Sequence, residues 1–356
     1  MKIVSSYDEA FSIGEKYLSS TEKLETTLKY IFDEHQTCYM LCVKEHSPEL
    51  YKLESKTGNP TLDKQINKTL KRKKIKSKTK TWRVMGCIIK PFKKESTFAK
   101  EWLPFLESVK DSLPDGVFIL SLSDAVLLPT EKSGSFLPVL SYSGKQGYSD
   151  IPIPTYDDIF DKDIGEVETK WSSKKDIAVF RGGSTGCGNT KETNQRLKLA
   201  TMRSDDLDVG ITTYTKNLKF TSGSDIGEVE KVGPLVPKLS WNEQSHFKYI
   251  IHVDGNVVAY RLLKSMLTGS IILRVKSDFI HWCDKDLKPD THYIEIKSDL
   301  SDLKEKVEWC KTHDSECKQI ASNGYKFAKK VLKDENIRKE FVSILKSSTA
   351  YRTPNK

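Results

Sequence analysis

The sequence predicts an α/β protein in two domains. Three observations carry that expectation. Short apolar runs, VFILSLSD (117–124), IAVFRGG (177–183) and KYIIHVDG (248–255), each end in an acid or a glycine turn, as strands covered on both faces do. Around these runs lie segments whose apolar residues recur at helical spacing. The 356 residues allow two cores at about 150 residues per domain, and the 37% hydrophobic and 30% charged content is that of a soluble globular chain.

Residues 7–33 read as helical, and TCYMLCV (37–43) as a strand. A turn at TGNP (57–60) leads to a lysine-rich block, and WRVMGCII (82–89) is a second strand. Ser96 is the expected N-cap of a helix over 96–113, in which Phe98, Trp102, Phe105, Leu106 and Val109 share a face. Leu113-Pro114-Asp115-Gly116 is a turn before the strand 117–124. The Ser-, Gly-, Pro- and Asp-rich stretch 125–165 reads as a surface loop and linker. The expected domains are therefore 1–165 and 166–335, with 336–356 as a closing helix and tail. In the second half a strand enters a glycine turn at 177–183, and a helix follows near 190–203. The strand 248–255 leads into a helix over 256–270, beginning near Asn256 and stopping at Gly269. Strands at 271–275 and 291–297 come next. A helix with Leu300, Leu303, Val307 and Cys310 on one stripe and two further helices close the chain. Trp282, Tyr293 and Trp309 are expected core residues.

Charge is concentrated in one place. KQINKTLKRKKIKSKTK (64–80) holds nine Lys or Arg and no acid, so within a total of +9 the other residues sum to zero. Like charges at this density repel, and the block is expected to be a solvated, mobile loop or else a contact for an anionic surface. No aromatic interleaves its lysines for base stacking, so no specific nucleic-acid partner is expected. The seven cysteines are odd in number and form no CxxC pair, so neither a disulfide framework nor a zinc site is expected. No apolar run approaches a membrane span, and the ends read as neither secretory, retention nor lipidation signals. The expected setting is reducing and cytoplasmic. Arginine is scarce, nine against 49 lysines. An arginine beside a glycine turn thus points to the planar fork that grips phosphate oxygens in pairs.

Three places carry candidate chemistry. Phe180-Arg181-Gly182-Gly183-Ser184-Thr185-Gly186-Cys187-Gly188-Asn189-Thr190 is a glycine-rich turn after a strand, where backbone N–H groups can approach an anion closely. It is not a P-loop, because Asn189 stands where the lysine belongs, and it lacks the third glycine of a dinucleotide fingerprint. Arg181 and Arg196 beside it suit a pyrophosphate; a plain tight turn is the alternative. His252-Val253-Asp254-Gly255-Asn256-Val257-Val258-Ala259-Tyr260-Arg261 reads as a strand end, a turn and a helix start. That is an anion site at the carboxyl edge of a parallel sheet, or an ordinary β–α turn. Asp124 ends a buried strand, where a carboxylate serves as proton acceptor for a hydroxyl or as a cap. Asp206-Leu207-Asp208 and Asp284-Lys285-Asp286 match the DxD pattern of metal-dependent sugar transferases, at a frequency chance supplies. No HExxH spacing or GxSxG elbow supports a hydrolase.

Together, KKDIAVFRGGSTG (174–186) behind Trp171, Arg196, FKYIIHVDGNVVAYRLLKSMLTGSIIL (247–273), LKPDTHYIEIKSDLSDLKEKVEWC (287–310) and IASNGYKFAKKVL (320–332) resemble the Rumi-type protein O-glucosyltransferase family, glycosyltransferase family ninety. The resemblance covers about residues 110–335. It implies a GT-B fold, two Rossmann-like domains facing across a cleft, with the C-terminal helices packing back. It implies a UDP-sugar donor carrying glucose or xylose, and inverting transfer to a hydroxyl of a protein or glycan with neither metal nor other cofactor. It implies that the catalytic base ends the strand after the LPD turn, which is Asp124 in LPDGVFILSLSD (113–124). The family commonly has arginine just before that aspartate, where this chain has Ser123. Its donor-binding positions carry over to Arg181, Gly183 and Arg196, and to Gly255, Asn256, Val257, Val258, Ala259, Tyr260 and Arg261. The competing expectation is a non-catalytic nucleotide-sugar-binding module, tethered to a polyanion or membrane surface by the lysine block.

Overall fold

The computed structural model describes residues 1–33, 37–54, 59–77, 79–85, 88–91, 99–123, 127–167, 169–220 and 226–348. Asp124 and Ser96 lie outside the described residues. The chain opens with β1 (Lys2–Val4), α1 (Tyr7–Gly14), α2 (Glu22–Asp33), β2 (Thr37–Lys44) and β3 (Ser47–Glu54). Next come α3 (Pro60–Arg72), β4 (Trp82–Met85), β5 (Ile88–Pro91), α4 (Ala99–Glu107) and β6 (Gly116–Ser121). β7 (Val139–Ser141), β8 (Gly144–Lys145), β9 (Ile151–Pro152) and α5 (Tyr156–Phe160) complete the first half. The second half runs β10 (Lys175–Gly183), α6 (Gln195–Ala200), β11 (Leu207–Thr213), β12 (Leu218–Phe220), β13 (Ile226–Gly227) and α7 (Trp241–Ser245). It continues with β14 (Phe247–His252), α8 (Leu262–Leu267), β15 (Ile271–Val275), β16 (Phe279–Ile280) and β17 (Ile294–Ile296). Three helices close it: α9 (Leu303–Thr312), α10 (Asp314–Val331) and α11 (Asp334–Ser347).

Period-two alternation builds both main sheets. The first has the order β1-β3-β2-β6-β7-β9 and is mixed, with β2 antiparallel to both neighbours and β6, β7 and β9 parallel. Cys38, Met40 and Cys42 with Val117 and Ile119 face Leu24, Leu28 and Ile31 of α2. Tyr39, Leu41 and Val43 with Phe118 and Leu120 face Trp102 and Leu106 of α4 and Phe341 and Leu345 of α11. The C-terminal helix thus packs back into the first core. Its Phe341 ring lies 5.5 Å from that of Trp102, whose indole N–H donates to Tyr142 Oη (3.0 Å).

The second sheet, β11-β10-β14-β15-β17, is wholly parallel. Ala178, Phe180, Tyr249, Ile251 and Leu273 face α9 and α10 through Val307, Cys310 and Ile320. Val179, Ile250 and Ile272 face Leu262, Leu263 and Met266 of α8. An antiparallel sheet, β13-β12-β5-β4, joins the two halves of the sequence, as does the β8–β16 pair.

Three local expectations change. The block 64–80 is not a loop throughout, because α3 covers Pro60–Arg72 and buries Ile66 and Leu70. The stretch 125–165 is not a linker, because β7 and β9 extend the first sheet and α5 contacts α11. The helix expected over 256–270 is confined to α8, six residues, and 256–261 is an irregular loop. Cysteine usage also differs. Cys38, Cys42, Cys283, Cys310 and Cys317 are buried free thiols, but Cys187 is disulfide-bonded.

Candidate anion-binding site at the sheet switch point

Numbered by appearance, the parallel strands stand in the order 2-1-3-4-5. The chain leaves β10 toward β11 on one side and returns through β14 on the other. The loops after β10 and β14 therefore diverge and open a crevice at the carboxyl edge, the position where such sheets take ligands.

Arg196 braces this crevice. Asn194 caps α6, its side chain accepting from the N–H groups of Arg196 (3.0 Å) and Leu197 (3.3 Å). The Arg196 guanidinium donates to both loops. It reaches Gly183 O (3.2 Å) and Thr185 Oγ1 (2.6 Å) on one side, and Val253 O (2.9 Å) and Asp254 O (2.9 Å) on the other. Arg261 enters from the second loop and donates to Arg181 O. Its guanidinium lies 5.2 Å over the Phe180 ring, and that of Arg196 lies 5.9 Å from the same ring. A Cβ on Gly182 would stand 2.9 Å from Arg261 Nη2, so glycine is what permits this approach. Gly188, at φ +84°, folds the turn back so tightly that a Cβ would lie 2.4 Å from Thr193 O.

Neither Arg196 nor Arg261 has a carboxylate within ion-pair distance among the described residues; their hydrogen-bond acceptors are carbonyls and one hydroxyl. Burial pushes Arg196 down to about 9, with Arg261 adding to the effect, and pushes Arg261 down to about 10. Asp254 is the carboxylate that lies near them. It accepts from Ala259 N–H (2.8 Å) and Ser277 Oγ–H (2.6 Å). Burial acts to raise its carboxyl, but bonds from His252 and Ser277 and the charge of Arg274 outweigh it and hold the group below the usual carboxylate range. One buried anion, Asp254, beside one buried and one half-buried cation, Arg196 and Arg261, leaves an excess of positive charge, which is costly unless a ligand completes it.

Arg181 takes a different direction from the one its position beside the turn predicts. Its guanidinium donates to Asp208 Oδ2 (2.7 Å) and Asp208 O (2.6 Å) on the neighbouring strand. The same contact occupies one DxD aspartate, and Arg274 holds Asp284 of the other in a two-pronged pair at 2.6 and 3.0 Å. Gly183 contributes its carbonyl to Arg196. Asn256 Oδ1 accepts from Gly186 N–H (3.0 Å) and from buried Lys219 (2.7 Å), tying the two loops together. Gly255 N–H folds onto Val257 O, and Val258 N–H donates to Ser143 Oγ (3.4 Å) from the first half. The Tyr260 ring lies 5.6 Å from that of Tyr142. Lys219 and Ser277 are additions that no sequence pattern marks, since each reaches the site only through folding, whereas Thr185 lies within the glycine-rich turn itself. A cleft of about 340 Å³ opens beside the loops, lined by Lys145, Gly186, Asp254, Gly255, Lys276 and Ser277 among others. The two guanidiniums do not belong to its wall.

The site also sets an acid limit on stability. His252 is 2% exposed, and burial pushes its imidazole down to about 4, against the pull of Asp254. Between pH 6.5 and 4 the unfolded chain binds a proton at this residue that the folded chain refuses. Stability is therefore full above pH 6.5 and declines as pH falls to 4, by on the order of 3 kcal/mol from this group. Urea midpoints measured from pH 7 to 4.5 should drop, and His252→Gln should make the drop shallower. An unchanged slope would remove His252 as the cause.

A parallel α/β sheet whose loops part at its switch point defines a class, the open α/β proteins that take ligands at that edge. Residues 90–351 match the family model described as Glycosyl transferase family 90, and the chain belongs to that family. It is 37% identical over 225 residues to uncharacterized protein 035R of Invertebrate iridescent virus 3, covering 57% of this chain and 20% of that one. It is 32% identical over 237 residues to protein O-glucosyltransferase 2 of Danio rerio, covering 64% and 46%. The chain thus spans less than half the length of either relative. Among solved structures, Anabaena HepE in complex with UDP-glucose aligns at 10% identity and a TM-score of 0.34 over 48% of this chain and 49% of that one, a likeness too distant to support an inference.

Proposed function

We propose that this chain is an inverting glycosyltransferase that moves glucose or xylose from a UDP-sugar to an acceptor hydroxyl on a protein or glycan, without a metal ion. The observation that carries the reading is the pair of guanidiniums, Arg196 and Arg261, set between the β10 and β14 loops with one carboxylate, Asp254, near them and none within ion-pair distance among the described residues. A diphosphate supplies the missing charge. Membership of glycosyl transferase family 90 makes a nucleotide sugar the natural bearer of that diphosphate. In this reading the two main sheets are the two Rossmann-like halves of a GT-B enzyme, 1–165 and 166–335, and within 336–356 the described part, helix α11, returns to the first.

Asp124 takes the proton from the acceptor hydroxyl as its oxygen attacks the anomeric carbon. The bond from that carbon to the UDP oxygen breaks on the opposite face, which inverts the centre. Charge gathers on the leaving diphosphate. Arg196, Arg261 and the N–H groups of Asn256 and Val257, which have no partner among the described residues, stabilise it. Arg181 contributes through its carbonyl, by holding Arg261.

A thermal-shift panel of UDP-, GDP- and CMP-sugars, run with chelator present, tests donor class and metal independence together. UDP-glucose or UDP-xylose should raise the melting temperature, with about 2.7 kcal/mol of stabilisation at a hundredfold excess over Kd. A larger response to GDP- or CMP-sugars, or a UDP-sugar response that chelator abolishes, would overturn the reading. A cytoplasmic setting is part of the proposal. It requires the Cys187 disulfide to be open in the working protein, which thiol alkylation and mass spectrometry of protein taken from cells would read directly.

A further inference from the structure

Helix α3 presents a charged surface that the proposed transfer chemistry does not use. Asn59 caps it, accepting from Leu62 N–H (3.1 Å), and Pro60 opens its first turn. Ile66 and Leu70 are buried against Trp82, Ile89, Leu218 and Ile226. Two bonds fix the helix to β4: Trp82 N–H donates to Asp63 (2.6 Å) and Trp82 Nε1–H to Asn67 (3.0 Å). With the apolar stripe committed inward, Lys64, Lys68 and Lys71, spaced i, i+4, i+7, lie exposed on the opposite side. Lys74 and Lys76 extend the exposed row past the helix end. None of these five has a carboxylate partner among the described residues.

We propose that this lysine face docks on an anionic lipid surface. Its charge is of one sign and unpaired, and a plane of negative headgroups complements it along its length. From Lys64 to Lys71 the row runs straight for about 10 Å on the convex side of a helix, which meets a plane better than it encloses a strand. The five cations of the row are point charges rather than the guanidinium forks that pair with phosphate oxygens in register, and Arg72 beside them already has a partner. No aromatic lies among them to stack on bases. The apolar side chains of α3 are engaged with β4, β5, β12 and β13, so the contact is electrostatic attachment without insertion. Salt therefore releases it, since exposed charges are screened beyond about 8 Å at physiological ionic strength.

Flotation of the full chain with vesicles tests this. The expected result is binding to phosphatidylcholine vesicles containing 30% phosphatidylserine at 0.05 M salt, release at 0.5 M, and no binding to pure phosphatidylcholine. At ~5-fold per lysine, Lys64→Gln, Lys68→Gln and Lys71→Gln together should lower partitioning by ~10²-fold. The corresponding Glu triple should lower it further. Lys318→Glu, Lys326→Glu and Lys330→Glu on α10 change net charge as much as the Glu triple and should leave partitioning within a few-fold of the parent. Equal binding to neutral vesicles would overturn the proposal, as would full retention by the Gln triple or equal loss by the α10 triple. Tighter binding to a 30-base-pair DNA duplex than to the anionic vesicles at the same salt would overturn it in favour of a nucleic-acid partner. UDP-sugar binding should be unchanged in every variant, so this outcome is independent of the donor site.

Discussion

Asp124→Asn should bind a UDP-sugar with the parent's affinity and transfer the sugar ~10²–10⁴ times more slowly, the usual loss when a positioned proton acceptor is removed. The amide keeps the size of the carboxylate and one acceptor oxygen, but it cannot take a proton from a hydroxyl. Binding and chemistry should separate because the residues proposed for them follow strands of different sheets. The groups proposed to hold the diphosphate follow β10 and β14, whereas Asp124 follows β6. The described chain is anchored on both sides of it. All six residues of β6 are buried, and Leu127 and Leu128 donate their N–H groups to the Asp150 carboxylate (2.9 and 2.8 Å), which also accepts from Ser141 (2.6 Å). Calorimetry with UDP and single-turnover rates give the two readouts. Near-parent turnover would place the base elsewhere. Loss of UDP affinity in step with turnover would make Asp124 a donor-binding group instead.

The sequence exposes this division well where strands carry a buried apolar run. Apolar runs ending in Asp or Gly locate β6, β10 and β14, and the ends of β10 and β14 locate the crevice. It is less informative where the outcome depends on a distant partner. Counting charges over 64–80 suggests repulsion, yet Leu62, Ile66 and Leu70 supply a stripe at i, i+4, i+8, and a small sheet assembled partly from residues 218–220 and 226–227 receives it. Asn256 looks like a helix start. However, Asp254 takes the Ala259 N–H and Gly255 turns back onto Val257 O, so the chain loops before α8 begins. Arg181 looks aimed at the glycine turn. The parallel register sets Asp208 opposite Val179, diagonal to Arg181 on the same face, and the ion pair forms there. Strands as short as β8 or β13 carry too few residues for a period to show.

Replacing Arg196 should produce the other large effect, in two separable parts. Its planar fork holds four acceptors on two loops. Lysine brings one charge and three donors from a single nitrogen, so Arg196→Lys cannot span Gly183 to Val253. It should lose about 2–3 kcal/mol of stability, the net worth of one or two charge-assisted bonds. Arg196→Met leaves all four acceptors without this donor and removes the charge as well. A cation about 5 Å from a phosphate charge contributes about 3 kcal/mol at an effective dielectric near 20, or on the order of 10² in UDP affinity. The ranking that follows is parent, then Lys, then Met, in both melting temperature and UDP affinity, with affinity measured well below the melting temperature of each variant. A purely structural brace predicts something else. Both variants would melt earlier, and the folded fraction would bind UDP as tightly as the parent. That second outcome would leave Arg261 alone facing the diphosphate, and would remove the paired guanidiniums as the basis for the proposed donor site.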